Sequence, residues 1–407
     1  MNITIEYPVW VIVLAIVFVM AWLVQLVLWL VVWRSPLRHG RRTRVTPEML
    51  RSGDKPGVSI LVYSHDQAEA LARNLPVLLE QDYPEYEVVV VDDCSRDDTQ
   101  DILSMLDQRY EHLVHTRIDS HARAMSHRKL AVYLGTKASH HDLLLVTRAE
   151  CCPSSPDWIS GMVRHFAQPG IEVVLGPVVY ERRASFISRF CQFDLFSRLL
   201  WMLGVALSVK PFAGWGQNLA FRKSTFFANG SQGFQRHLNI QPGEDDLFVA
   251  DVARPGNVAV EMQASSLVTD QSRPLVVNWS IDRINRGFTS RLYSWSSAIL
   301  RAVDHLSAFI TVLCGWTLII YNVCILCGPQ PASSLSLWPL CLAVLLLLAR
   351  FVLQYGTIKA TWRHLHLKPM SYWLTLFDLY MPVLDLWYRC KALMRSRRFS
   401  VGRIGLQ

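Results

Sequence analysis

Apolar and polar positions divide this chain into three zones. Pro8 to Trp33 is an apolar run broken only by Gln25, longer than the roughly 20 residues that cross a bilayer as a helix. It begins after Glu6 and ends among Arg34, Arg38, Arg41, Arg42 and Arg44. A cleaved signal peptide has a basic start and a shorter core, so the run reads as an anchor with its arginine flank on the cytoplasmic side. Two further runs, Leu306 to Leu326 and Leu335 to Leu353, flank the turn sequence Gly328 to Ser333 and predict a helical hairpin. Lys359, Arg363 and the tail arginines return both ends to the cytoplasm. A last apolar stretch, Met370 to Trp387, contains Asp378, Pro382 and Asp385. Crossing there would put the basic tail outside, so the stretch reads as interfacial or re-entrant.

Between these zones the period changes. Short apolar runs at Val58 to Tyr63, Glu87 to Val91, Leu113 to Arg117, Leu143 to Thr147 and Glu172 to Val179 predict buried parallel strands. Ala68 to Glu80, Asp98 to Arg109, His127 to Ala138 and Asp157 to Phe166 carry helical spacing. Alternation of the two predicts an α/β, Rossmann-like, doubly wound sheet with ligands at the strands' carboxyl ends. Phe186 to Val209 mixes apolar residues with Arg189, Asp194 and Arg198 and predicts an amphipathic helix on the domain or the bilayer surface. The layout is an anchor and basic flank over 1–44, a cytoplasmic domain over 45–300 and a membrane hairpin with interfacial segment and tail over 301–407. It describes a multi-pass protein of the cytoplasmic (inner) membrane.

The chain has 407 residues, 51% of them hydrophobic, and a net charge of +8. The charge lies mostly beside the apolar runs and in the tail, which favours membrane lipids over nucleic acid as the basic surface's partner. Nine cysteines are scattered without a paired metal-ligand pattern, and Cys324-Ile-Leu-Cys327 lacks a second pair. The first strand is followed by neither a Gly-x-Gly-x-x-Gly nor a phosphate-binding Walker loop, which disfavours a dinucleotide or P-loop enzyme.

Three acidic groups remain. Asp92-Asp93 ends the second strand, and carboxylates there accept hydrogen bonds from a base or ribose; Ser95 and Asp97 can cap the next helix. Glu150 follows the fourth strand in Thr147-Arg148-Ala149-Glu150-Cys151. Glu244-Asp245-Asp246 lies close to the membrane zone, where one carboxylate can take a proton from an attacking hydroxyl while its neighbours hold the nucleophile or screen a metal. A solvated helix start explains the triplet equally well in isolation.

Order and spacing of these elements resemble a membrane-anchored family 2 glycosyltransferase of the GT-A fold, as in bacterial polysaccharide and glycolipid synthesis, over roughly Val58 to Tyr293. The resemblance implies that Asp92 and Asp93 contact the nucleoside of a sugar nucleotide and that Arg128-Lys129 lies near it. His65-Asp66-Gln67-Ala68-Glu69 partly matches the family's first loop. Gly214-Trp215-Gly216-Gln217-Asn218 resembles the acceptor-site loop, and the general base falls on Asp245, flanked by Glu244 and Asp246. Two motifs depart from the pattern. Arg148-Ala149-Glu150 replaces the metal-binding Asp-x-Asp, leaving Glu150 as the oxygen ligand for a divalent cation, Mn or Mg. Gln-x-x-Arg-Trp is absent, and Arg283 and Arg286 are the nearest phosphate-reaching residues, equally suited to lipid headgroups.

The implied activity is inverting transfer from a nucleotide-diphosphate sugar to a lipid-linked or glycan acceptor at the cytoplasmic face, beside envelope-polysaccharide enzymes. The alternative is a catalytically inert transferase-like subunit that organises partner enzymes.

Overall fold

The computed structural model describes residues 7–51, 55–119, 126–228, 237, 240–327, 337–369, 377 and 380–395. Its centre is a seven-stranded sheet of order β3-β2-β1-β4-β8-β6-β9. The parallel half holds β1 (Val58–Ser64), β2 (Tyr86–Asp92), β3 (Leu113–Arg117) and β4 (Leu143–Arg148). The strand order reverses between β1 and β4. Ile60, Val62, Val88 to Val91, Leu144 and Leu145 are buried, as continuous apolar runs must be in a sheet covered on both faces. β3 is the exception: as the edge strand it is only partly buried. A short helix, α3 (Pro47–Arg51), precedes β1. The connecting helices are α4 (Ala68–Leu79), α5 (Thr99–Asp107), α6 (His127–Ala138) and the short α7 (Trp158–Val163).

Glu172 to Val179 is not one strand. It forms β6 (Val173–Leu175) in the large sheet and β7 (Val178–Tyr180) in a second sheet, where β7 pairs β10 (Val268–Asp270) and β10 pairs β5 (Cys151–Pro153). Pro177 has no amide to donate to a ladder. At Gly176 any Cβ would lie 2.4 Å from the Asn218 side-chain nitrogen, so the chain turns there and changes sheet. β8 (Leu219–Arg222) runs antiparallel to both β4 and β6, and β9 (Val258–Val260) completes the large sheet.

Among the described residues, four helices are long and apolar enough to cross a membrane, one more than the hydropathy runs predict: Val9–Arg42, Phe186–Ser208, Trp295–Leu326 and Trp338–His364. The first comprises α1 (Val9–Leu28), a wide turn over Trp29–Trp33 and α2 (Ser35–Arg42). Phe186–Ser208, here α8, differs from the rest. Protein covers 78% of its apolar window, against 33% or less for the others. It is apolar on nearly every side rather than amphipathic, with Phe193, Leu195, Phe196, Leu199 and Leu200 buried, which is the signature of a core helix. α1, α11 (Trp295–Leu326) and α12 (Trp338–His364) contact one another through polar links. Gln25 Nε2 donates to Ser307 Oγ at 2.7 Å, and Trp22 Nε1 to the Leu346 carbonyl at 2.9 Å. Their outer faces expose Ile16, Met20, Leu313, Trp316, Ile320, Leu345 and Leu348, as suits lipid. Of the predicted interfacial stretch, Met370 to Leu376 and Asp378-Leu379 lie outside the described residues. Met381–Met394 forms α13, packed on α10 (Leu275–Thr289).

Candidate active site

The strand registers assemble the site. Ser64 sits opposite Asp92 and Tyr63 opposite Arg148, so the carboxyl ends of β1, β2 and β4 share the crevice at the reversal point. Asp92 is fully buried; its Oδ1 accepts from the Ser95 amide at 3.2 Å and its Oδ2 from Gln100 Nε2 at 2.8 Å. Asp93 accepts from the Tyr63 hydroxyl at 2.7 Å, and His127 Nδ1 lies 2.5 Å from its other oxygen. Burial holds the Tyr63 phenol well above its usual range, so it stays a donor. The loops after β1 and β2 latch each other. The Ala68 amide donates to Asp97 at 2.8 Å and the Arg96 amide to Asp66 at 2.7 Å. Asp97 thus bonds the first residue of α4 as well as Thr99 at the head of its own helix.

Asp245, which caps the short helix α9 (Asp246–Val252), is the focus of the acidic triplet. Its Oδ1 accepts from the Asp246 amide at 2.7 Å and its Oδ2 from the Gly216 amide at 2.6 Å. Arg148 and Arg286 guanidinium nitrogens stand 3.6 Å and 3.8 Å from the same Oδ2. β8, antiparallel to β4, brings the Gly214 to Asn218 loop here, and a Cβ on Gly216 would lie 3.2 Å from that of Asp245. Glu244 bridges Arg128 at 3.4 Å and Arg148 at 3.8 Å, and Arg128 stacks over the Tyr63 ring. Burial works against charge on Arg148, but Asp245 and Glu244 outweigh it and hold the guanidinium charged. One line of alternating charge therefore runs Asp93, Tyr63, Arg128, Glu244, Arg148, Asp245, Arg286. It borders a cleft whose wall includes Tyr63, Arg128, Arg148, Gly216, Glu244 and Asp245.

Other predicted site residues sit elsewhere. Asp246 faces away, accepting from Thr289 Oγ1 and the Tyr293 hydroxyl, and burial with the adjacent Asp245 pushes its carboxyl up to about 6. Lys129, predicted near the nucleotide, is buried and donates to the His237 carbonyl; burial pulls its ammonium down to about 8. Gln217 and Asn218 are interior residues of the loop. Gln217 Nε2 donates to Asp270 at 3.2 Å, while Asn218 binds the Pro177 and Ser266 carbonyls and accepts from Trp158. Arg283 is buried between Asp194, at 2.7 Å, and Asp385. What puts these four inside is long-range packing, which local spacing does not report. Tyr63, His127 and Gln100 escaped the motif reading because they belong to ordinary strand and helix patterns, and Tyr293 because it lies in the short connection before α11.

The donor set does not suit a hard divalent cation at the Asp-x-Asp position. Arg148 occupies the first acidic place and already ion-pairs Glu244 and Asp245. Near Glu150 the adjacent carboxylate is Asp270, pushed up to about 6 by burial and by Glu150. Among the described residues, Asp93, Cys94 and His127 alone form a group of three potential ligands. They mix thiol and imidazole where the end of β2 meets the start of α6, whereas Mn and Mg prefer oxygen donors.

The profile of glycosyl transferase family 21 matches residues 11–395. The chain belongs to glycosyl transferase family 21. This family 21 chain is a glycosyltransferase enzyme of GT-A type, as its motif order predicts. Membership in a family of transferases takes the enzyme reading over the inert subunit. The fold is similar to that of mannosyltransferase PcManGT from Pyrobaculum calidifontis, solved with GDP-Man and Mn2+, with TM-score 0.55 and 17% identity over 94% of this chain and 99% of that one. S. aureus TarS 1–349, solved with UDP-GlcNAc, matches at TM-score 0.38 and 15% identity over 84% of this chain and 92% of its own. No curated protein matches the sequence.

Proposed function

We propose that this family 21 enzyme moves a sugar, with inversion, from a nucleotide-diphosphate sugar to a hydroxyl of a lipid-linked or glycan acceptor at the cytoplasmic membrane face. The reading is carried by Asp245, a single oriented carboxylate between the Asp92-Asp93 end of the crevice and the membrane-side helices. A sugar nucleotide fits PcManGT's GDP-Man complex, and the apolar outer faces of α1, α11 and α12 with the arginine-rich flank of α1 support the membrane face.

Asp92 and Asp93 hold the nucleoside. The acceptor oxygen attacks the anomeric carbon opposite the diphosphate while Asp245 takes its proton; the carbon–oxygen bond to phosphate breaks and its electron pair leaves on the nucleoside diphosphate. Arg148, with Arg128 behind it, offsets that growing charge. No step uses a metal ion, because Arg148 holds the position where a cation's first ligand would stand. The proposed layout keeps a 1–44 anchor, a 45–300 catalytic domain and a 301–407 membrane segment. Envelope-polysaccharide enzymes are its proposed partners.

Nucleoside diphosphate release from GDP- and UDP-sugars, with membrane lipid extract as acceptor, tests this. Asp245→Asn should reduce release by about 10²–10⁴-fold while nucleotide binding persists. Release within tenfold of wild type, or a product that retains the donor's anomeric configuration, would sink the assignment.

A further inference from the structure

The nucleoside end of the crevice carries a ligand set that sugar transfer does not use. β2 ends at Asp92 and the chain turns at once: Cys94 takes a φ of 54°, in the left-handed region that favours glycine. The loop therefore holds a thiol where glycine would fit with less strain. Cys94 Sγ lies 2.6 Å from the Ile118 carbonyl. From the opposite side His127, the first residue of α6, brings Nδ1 to 2.5 Å from Asp93 Oδ1, while the Tyr63 hydroxyl fixes the other carboxylate oxygen at 2.7 Å. One ligand atom from each of Asp93, Cys94 and His127 lies within 4.8 Å of the others.

Thiolate, imidazole and carboxylate together suit Zn2+, a borderline-soft cation, and not the harder Mn2+ or Mg2+. Zinc–ligand bonds of about 2.0–2.3 Å put tetrahedral ligand atoms roughly 3.3–3.8 Å apart, so about 1 Å of side-chain adjustment closes the set. Charge favours a cation, since Asp92, Asp93 and Asp119 surround the thiol against one nearby guanidinium, that of Arg117. Cys94 and His127 are half-buried, which leaves a way in from solvent. Tyr63 and the Ile118 carbonyl already orient two of the ligands, as outer-shell partners do in metal sites. We propose that Asp93, Cys94 and His127 bind a zinc-type divalent cation, with water in the fourth position, and that the bound metal excludes the donor's nucleoside. The Cys94 thiol releases its proton to solvent on binding, and His127 carries its own on Nε2, freeing the Nδ1 lone pair. Exclusion follows because Asp93 cannot serve metal and nucleoside together; this part rests on the transfer reading above, and the metal site does not. The site is inhibitory and separate from the Asp-x-Asp position, where Arg148 stands.

The test uses the full chain, free of any polyhistidine tag, in neutral detergent with buffered free metal. One equivalent of Co2+ should give a thiolate-to-cobalt charge-transfer absorption that Zn2+ abolishes and Mg2+ leaves intact. Cys94→Ser, a small side chain on the same backbone, should lose the band and bind Zn2+ at least about tenfold more weakly, the low end of what even outer-shell partners of a metal contribute. His127→Gln should weaken Zn2+ binding comparably. At ten times its dissociation constant, Zn2+ should weaken GDP or UDP binding by about tenfold in the wild type and, at the same concentration, by only about twofold in Cys94→Ser. An absent thiolate band, or one of equal strength in Cys94→Ser, overturns the site. Zinc held through Cys94 with nucleotide affinity unchanged overturns the exclusion. Metal-free protein that binds no nucleotide removes the transfer reading instead, and the cobalt band then still decides the metal site.

Discussion

Replacing Arg148 tests the chemistry most directly. Its guanidinium lies 3.6 Å from Asp245 and 3.8 Å from Glu244 with its side chain 14% exposed. At an effective dielectric near 20, each contact is worth about 4–5 kcal/mol of gross attraction, most of it offset by desolvation. Removing one partner of such a buried pair costs about 3–5 kcal/mol. Arg286 still faces Asp245 and Arg128 still faces Glu244, so Arg148→Gln belongs at the low end, about 3 kcal/mol, and should fold. Its kinetic effect should be larger than its structural one. Loss of a group that stabilises developing leaving-group charge typically lowers turnover by about 10²–10³-fold. Arg148→Lys keeps the charge but loses the planar fork and should fall between. The assay is nucleoside diphosphate release with and without EDTA, beside a nucleotide-binding titration that separates turnover from affinity. Wild-type activity should survive EDTA, and Arg148→Asp, which restores an acidic first position, should respond to Mn2+. Turnover of Arg148→Gln within about threefold of wild type, or wild-type activity abolished by EDTA and restored by Mn2+, refutes the reasoning.

Two further outcomes follow from the same geometry. Gly216→Ala places a methyl 3.2 Å from the Asp245 Cβ and should cut turnover by about tenfold, a displacement of the base worth roughly 1.4 kcal/mol, with the thermal unfolding midpoint little changed. Asp246 is raised from 3.8 to about 6 by burial and by Asp245, so the folded protein holds a proton there that the unfolded chain releases. Its contribution is therefore most favourable below the unfolded value and is lost as pH rises through that window; unfolding midpoints of wild type and Asp246→Asn should diverge from pH 4 to 6 and run parallel above about 6.5. Parallel curves throughout would remove Asp246 as the titrating group.

Sequence periodicity alone determined the parallel half of the sheet, the four connecting helices and three apolar membrane runs. The helix predicted over His127 to Ala138 matches α6, because period and breakers are properties of adjacent residues. The acidic clusters were legible for a similar reason: Asp92-Asp93 and Glu244 to Asp246 are runs of adjacent carboxylates at element ends, although the burial of Asp92 and Asp246 was not legible. Tertiary structure decided which side chains share a space. Arg148 and Asp245, and Arg286 and Trp215, meet because β4, β8 and α10 converge, and no local spacing encodes a pairing across such sequence distance. Long-range packing also buried Lys129, Gln217, Asn218 and Arg283, while Glu172 to Val179 divides between two sheets at the Gly176-Pro177 break. The mixed composition of Phe186 to Val209 predicts a surface helix, whereas protein covers most of α8; whether lipid, water or protein meets such a helix depends on what the rest of the chain brings alongside.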